Sequence, residues 1–226
     1  MTFSIAGRCA RTGMLGIAMS TSSIAVAARC PFARAGVGAV STQNVTDPRL
    51  GPKGLALLEQ GLAAPDAMKQ LIAHAPHKEL RQVTMIDAKG RTAHWTGSHA
   101  LGTHGVAEGK DCVAAGNLLE NAGVPRAMVR TFEADTGMEL PERLLTALEE
   151  ALVAGGEQGP VHSAALLVMH EQPWPLVDLR VDWADDNPIG GLRRLWEAYR
   201  PQMNDYVTRA LDPAAAPRYG VPGDPE

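Results

Sequence analysis

The chain opens Met1-Thr2, and Thr2 is the residue with the most chemistry to offer. Removal of an initiator Met ahead of a small residue leaves a hydroxyl and a free α-amine on one residue, a nucleophile that carries its own base. An α-amine titrates near about 7.7–8.0, so a useful fraction is neutral at cellular pH and can take up the hydroxyl proton as the oxygen attacks an amide carbonyl. No histidine is required. Donors aimed at the developing oxyanion are required, each worth about 2.7–4 kcal/mol when removed, and a nearby cation helps to keep the amine unprotonated.

Residues able to serve such a nucleophile recur along the chain. Ser20 stands eighteen residues after Thr2, on the return strand of an expected hairpin, and can come back beside the chain start. Gln43 and Asn44 close the strand after Gly36-Val37-Gly38 and can offer amide donors, although loop capping would use the same residue types. Arg34 is a candidate cation, with a solvated loop arginine as its ordinary alternative.

Other constellations carry less. His94, His99 and His104 recur every five residues around a turn but lack HxxxH spacing or carboxylate companions, so no metal is expected. Ser163 follows His162, yet neighbours on a strand point to opposite faces and no GxSxG elbow is present, which argues against a serine triad. Asp178, Asp182, Asp185 and Asp186 read as a solvated rim, with Asn187 capping the helix that follows. No cofactor motif is found, since the GxG at Gly36 lacks the third glycine of a dinucleotide loop.

At 226 residues and net charge −4, with no block of Lys or Arg, the chain suits a small-molecule or short peptide amide substrate, not nucleic acid or a membrane surface. Cys9, Cys30 and Cys112 form no CxxC pair, which fits reduced, buried thiols in a cytoplasmic protein. Ser20 to Ser23 interrupt the weakly apolar run Met14–Ala28, arguing against a secretory signal, and no stretch approaches a membrane span.

Positioning these residues requires strands at both ends of the chain. Phe3, Ile5 and Gly7 alternate with Ser4, Ala6 and Arg8, and a second alternating run follows from Leu15 to Ser20. A third strand is expected over Gly36–Gln43, helices from Pro52 and Pro65, a strand-turn-strand over Arg81–Thr96, and short strands near Gly105 and Asp111. Helices follow at 125–133 and 141–154, the latter stopped by Gly155-Gly156, then strands at 163–169 and 176–181 that read as the middle of a covered sheet. One last helix carries Leu192, Leu195, Trp196, Tyr199, Met203 and Tyr206. The pattern gives an α+β or layered α/β fold as one domain over 1–211, with a Pro/Gly-rich irregular tail over 212–226.

The run from Thr2 to Gly61, with Arg81-Gln82-Val83, Gly116-Asn117-Leu118, Asp178–Asp182 and Pro188–Leu195, resembles the family catalogued as domain of unknown function 1028, placed in the N-terminal nucleophile (Ntn) hydrolase superfamily. That resemblance implies a four-layer αββα sandwich and an amidohydrolase acting through an N-terminal Thr. It implies catalytic roles for Thr2, Ser20, Arg34, at a spacing similar to the lysine of proteasome-like sites, and Asn117. Substrate-binding roles would fall to Gln43, Asn44, Arg81 and Gln82. Pairing through outer helices is common in Ntn folds, and the apolar width around Trp196, Tyr199 and Tyr206 fits a homodimer or larger homo-oligomer. Where a Gly-Gly-Asp segment, an Arg and a Gln-Ser pair are expected, this chain has Gly155-Gly156-Glu157 and then His162-Ser163, and Ala115 replaces a polar residue. Those departures leave a non-catalytic small-ligand-binding or assembly protein with the same fold as the alternative.

Overall fold

The computed structural model describes residues 1–218 and Gly220. In chain order its strands are β1 (Thr2–Arg8), β2 (Leu15–Thr21), β3 (Pro31–Arg34), β4 (Gly38–Asn44), β5 (Arg81–Asp87), β6 (Thr92–Thr96), β7 (Gly105–Gly109), β8 (Cys112–Asn117), β9 (Ser163–Met169) and β10 (Val177–Val181). The helices are α1 (Leu50–Glu59), α2 (Ala64–Ala73), α3 (Val124–Ala134), α4 (Leu140–Val153), α5 (Pro188–Tyr199) and α6 (Met203–Leu211). No described helix is long and apolar enough to cross a membrane.

The strands form two antiparallel sheets, ordered β10-β9-β2-β1-β8-β7 and β3-β4-β5-β6. Phe3, Ile5 and Ala18 project from the larger sheet into a core with Phe132, Leu144, Leu148, Leu192 and Trp196 of α3, α4 and α5. Val40, Val83 and Met85 project from the smaller sheet onto Leu55, Leu58, Met68 and Leu71 of α1 and α2. The inner faces meet through Ala6, Leu15, Ile17, Ala39, Ile86 and Val113. Helices, sheet, sheet, helices is the αββα order that the family resemblance implies.

This layering explains why alternation in β1 is not a division between core and water. Both faces are covered, and every residue from Thr2 to Gly7 is buried. The larger residues Phe3 and Ile5 go to the helices, while Ser4 and Ala6 go to the opposing sheet, where Ser4 donates to Gln43 Oε1 at 2.7 Å.

Three expectations change. A short strand, β3, precedes the expected third strand and pairs Pro31 with Ser41, an edge position where a residue without an N–H is tolerated. The final helix is two, because Pro201 lacks a donor and its ring opposes a continuing helix, leaving a 3₁₀ turn at Arg200–Gln202 between α5 and α6. Of its apolar stripe, Trp196 is buried within this chain and donates to Glu142, whereas Leu195 and Tyr206 are exposed. Finally, β9 is interior as expected, but β10 is an edge strand that alternates between buried or half-buried and exposed residues. Beyond Leu211 the chain is turn and bend through residue 216, while residues 219 and 221–226 of the expected tail lie outside the described residues.

Gly7 and Gly16 pair across the hairpin under α3 and α4, where a side chain has no room. A Cβ on Gly16 would stand 2.7 Å from the Leu167 carbonyl oxygen and 2.9 Å from a Leu144 methyl. Backbone cannot yield as a flexible side chain would, so Gly16→Val is expected to destabilise by about 1–3 kcal/mol, read as a lowered urea midpoint with unchanged m.

Candidate active site

Thr2 sits at the end of β1, opposite Asn117 of β8, while Phe3 pairs with Ser20 on β2. The next residue of β2, Thr21, therefore lies beside Thr2 and shares its face. Their hydroxyl oxygens are 3.3 Å apart, and both donate to the Met1 carbonyl. Thr2 is 6 % exposed and Thr21 is fully enclosed, so with Met1 in place the hydroxyls are shut in beneath that residue.

Below them the inter-sheet layer turns polar. Gln82 accepts from Gln43 Nε2 at 2.7 Å and from Asn117 Nδ2 at 3.1 Å, and donates to the Gly116 carbonyl at 3.1 Å and Thr96 at 3.3 Å. Gln43 in turn accepts from Ser4. Asn117 keeps one atom in reserve, for its Oδ1 is buried without a donor.

A carboxylate completes this end of the sandwich. Gly155 and Gly156, at φ 121° and 60°, make a turn that residues with side chains rarely adopt. The turn is fastened to the segment just after Asn117 by Glu120 N to Gly156 O at 3.1 Å and Gln158 N to Leu118 O at 3.0 Å. Glu157 is thereby buried, with Oε2 accepting from Ser22 N at 3.2 Å and Oε1 unpartnered. Burial pushes its carboxyl up to about 7, against the nearby positive amino terminus and the Ser22 hydrogen bonds, which pull it down. His162 N donates to Thr21 O, and the His162 ring stacks on half-exposed Trp183 at 4.3 Å.

The structure thus brings together Thr2, Asn117, Gln82 and Gln43. It separates the other candidates. Ser20 pairs with Phe3, points to the helix side and donates to Ser163 O at 2.9 Å, so the hydroxyl beside Thr2 is that of Thr21. Arg34 lies opposite Gly38, five residues and about 16 Å along β4 from Gln43, and pairs with Glu59 on the exposed surface. It is no cation for the Thr2 amine. Asn44 and Arg81 pair on the outer face of their sheet. Asn44 bonds Leu80 O and Leu101 N, and Arg81 donates to Val45 O, fixing loops instead of facing Thr2.

Thr21 and Glu157 are the residues that sequence reasoning missed. Strand alternation from Thr2 would have favoured an odd separation only with the hairpin register in hand. Glu157 was visible as a carboxylate in a Gly-Gly turn, where the family resemblance leads one to expect Asp. The cysteines are buried and free as expected, and burial pushes the Cys30 thiol up and Cys112 up to about 12, leaving neither a ready nucleophile. Among the described residues no group of three or more His, Cys, Asp or Glu could hold a metal.

The model of the family described as "Family of unknown function (DUF1028)" matches residues 2–192, beginning on Thr2 itself. Protein SPO2555 from Silicibacter pomeroyi, a crystal structure matched to the same family model, is 31 % identical, with TM-score 0.81 over 88 % of each chain. More distant are Anbu (ancestral beta-subunit) from Yersinia bercovieri, 10 % identical with TM-score 0.42 over 89 % of this chain and 96 % of that one, and an Anbu mutant from Hyphomicrobium sp. strain MC1, 13 % identical with TM-score 0.39 over 92 % and 98 %. No curated protein matches.

The raised Glu157 carboxyl makes stability depend on pH. Between about pH 4.5 and 7 the folded chain keeps a proton that the unfolded chain has lost, so stability falls as pH rises through that window and levels off above it. Glu157→Gln is expected to remove this slope, which amounts to at most about 3 kcal/mol. Urea unfolding at pH 5 and pH 8 measures it, and equal pH dependence in both proteins would contradict the buried carboxylate.

Proposed function

Because the chain belongs to DUF1028, a family of unknown function, the reaction has to be read from the site, and we propose that the protein is an Ntn-type amidohydrolase whose mature chain begins at Thr2. The observation that carries this reading is the buried pair of hydroxyls, Thr2 and Thr21, closed over by Met1 beside a carboxylate poised near neutrality. Loss of Met1 vacates the carbonyl that both hydroxyls hold and frees an amine on Thr2.

In the proposed reaction Thr2 Oγ1 attacks the carbonyl carbon of a small-molecule or short peptide amide. Its proton passes to the Thr2 amine, directly or through Thr21, and on to the leaving nitrogen as the C–N bond breaks. Water then attacks the acyl-Thr2 ester and returns the hydroxyl. The acceptor we assign to the new amine is Asn117 Oδ1, which lacks a donor in the unprocessed chain and belongs to the residue paired with Thr2; both facts support the assignment. A charged carboxylate beside an amine favours the ammonium form, the wrong form for a base. The burial of Glu157 counters this, since desolvation raises its carboxyl and so weakens the negative charge that would hold a proton on the amine. Cytoplasmic residence and self-association remain part of this reading.

Intact mass of protein from native cells is expected to lack Met1. In a screen of small amides, Thr2→Ser should keep measurable turnover and Thr2→Ala should lose at least about a hundred-fold in kcat while its urea midpoint stays close to that of the parent. A retained Met1 would leave the non-catalytic ligand-binding reading in its place, and Thr2→Ala turning over at the parental rate would assign the chemistry to a different nucleophile.

A further inference from the structure

The opposite end of β1, six residues and about 20 Å from Thr2, holds a second site of different character. Here the β1–β2 turn, the β7–β8 turn and the α3–α4 connection enclose a cavity of about 380 Å³, the size of a metabolite pocket. Its wall carries four cations, Arg8, Arg11, Lys110 and Arg143, against two carboxylates, Asp111 and Glu133. That excess of two positive charges stands out in a chain whose net charge is −4.

Both carboxylates are engaged by the protein. Asp111 pairs with Arg8 at 2.8 Å, and Glu133 Oε1 accepts from Lys110 N at 2.6 Å. Arg143 has no such neutralisation. It is only 4 % exposed, and among the described residues no carboxylate lies within 4 Å of its guanidinium. Nε and Nη2 donate to the Phe132 carbonyl at 3.1 and 2.8 Å, near the end of α3, and the cation lies 3.8 Å over the Phe132 ring. Those contacts account for one edge of the guanidinium and leave Nη1 without an acceptor among the described residues, in a side chain that lines the cavity. A buried guanidinium without a carboxylate in contact is costly, and desolvation holds its pKa below the usual value although Asp111 and Asp135 act on it from farther away. Arg11 and Lys110 stand at the rim with no carboxylate partner among the described residues.

We propose that this cavity binds a small molecule through a doubly charged oxyanion group, phosphoryl or dicarboxylate, seated on Arg143 Nη1 and closed by Arg11 and Lys110. The planar guanidinium gives geometry, and the two rim cations give the second charge. The site is independent of Thr2, so it stands whether or not the chain is a hydrolase.

Calorimetric titration of the full chain with inorganic phosphate and with succinate, each against potassium chloride at matched ionic strength, tests this. One equivalent of at least one anion should bind. Uptake of phosphate alone marks a phosphoryl ligand, uptake of succinate alone a dicarboxylate, and uptake of both a site that reads charge. Arg143→Lys, which keeps the charge but loses the fork, and the exposed double variant Arg11→Gln/Lys110→Gln should each weaken binding at least ten-fold, and the double variant should keep the parental urea midpoint. No heat with either anion, or an affinity that the double variant retains, overturns the proposal.

Discussion

Amides buried between two sheets must satisfy one another, and that requirement governs how this molecule is put together. Gln82 has no access to water, yet both of its polar atoms are used, binding β4 through Gln43 and β8 through Asn117 and the Gly116 carbonyl. Leaving one such group unpaired would cost about 1–3 kcal/mol, so the sheets have little freedom to slide or rotate at this end. Ser4 extends the chain of bonds to β1, two residues from Thr2. The nucleophile candidate is thus held by a network that does not include it.

The inter-sheet layer is consequently divided along its length. Toward Arg8 it is apolar and close-packed, with Ala6 and Ala39 letting the sheets approach. Toward Thr2 it is polar, and it ends in two hydroxyls that hold the Met1 carbonyl and in a carboxylate with one oxygen unpartnered. An unpartnered Glu157 Oε1 and Asn117 Oδ1 are liabilities for folding, and perturbed, incompletely paired groups gathered at one spot are a mark of functional sites. Their common neighbour is the chain start.

The fold was largely legible because each strand and helix carries its own period. The opening hairpin, the Arg81–Thr96 unit and helices α3 and α4 all lie close to where spacing puts them. Short β3 was not, being four residues begun by a proline, and neither was the break at Pro201 within a continuous apolar stripe. Site residues were legible in type more than in position. Gln43 and Gln82 were distinguished from their neighbours Asn44 and Arg81 only by which face of a strand they occupy, and that depends on a second sheet that no local pattern announces. Arg34 failed for a similar reason, since spacing along the chain does not reveal which end of a strand faces Thr2. Thr21 and Glu157 needed the hairpin register and a long-range turn contact respectively.

Everything proposed for catalysis depends on Thr2 being reactive as a chain terminus. The most direct measurement is to treat the processed protein with a β-lactone, digest it, and map the acyl adduct by mass spectrometry. The account predicts a single ester on the peptide that begins with Thr2, absent from Thr2→Ala protein. An adduct on Ser163, on Thr21 or on a cysteine, or none at all on a chain shown to start at Thr2, would contradict it.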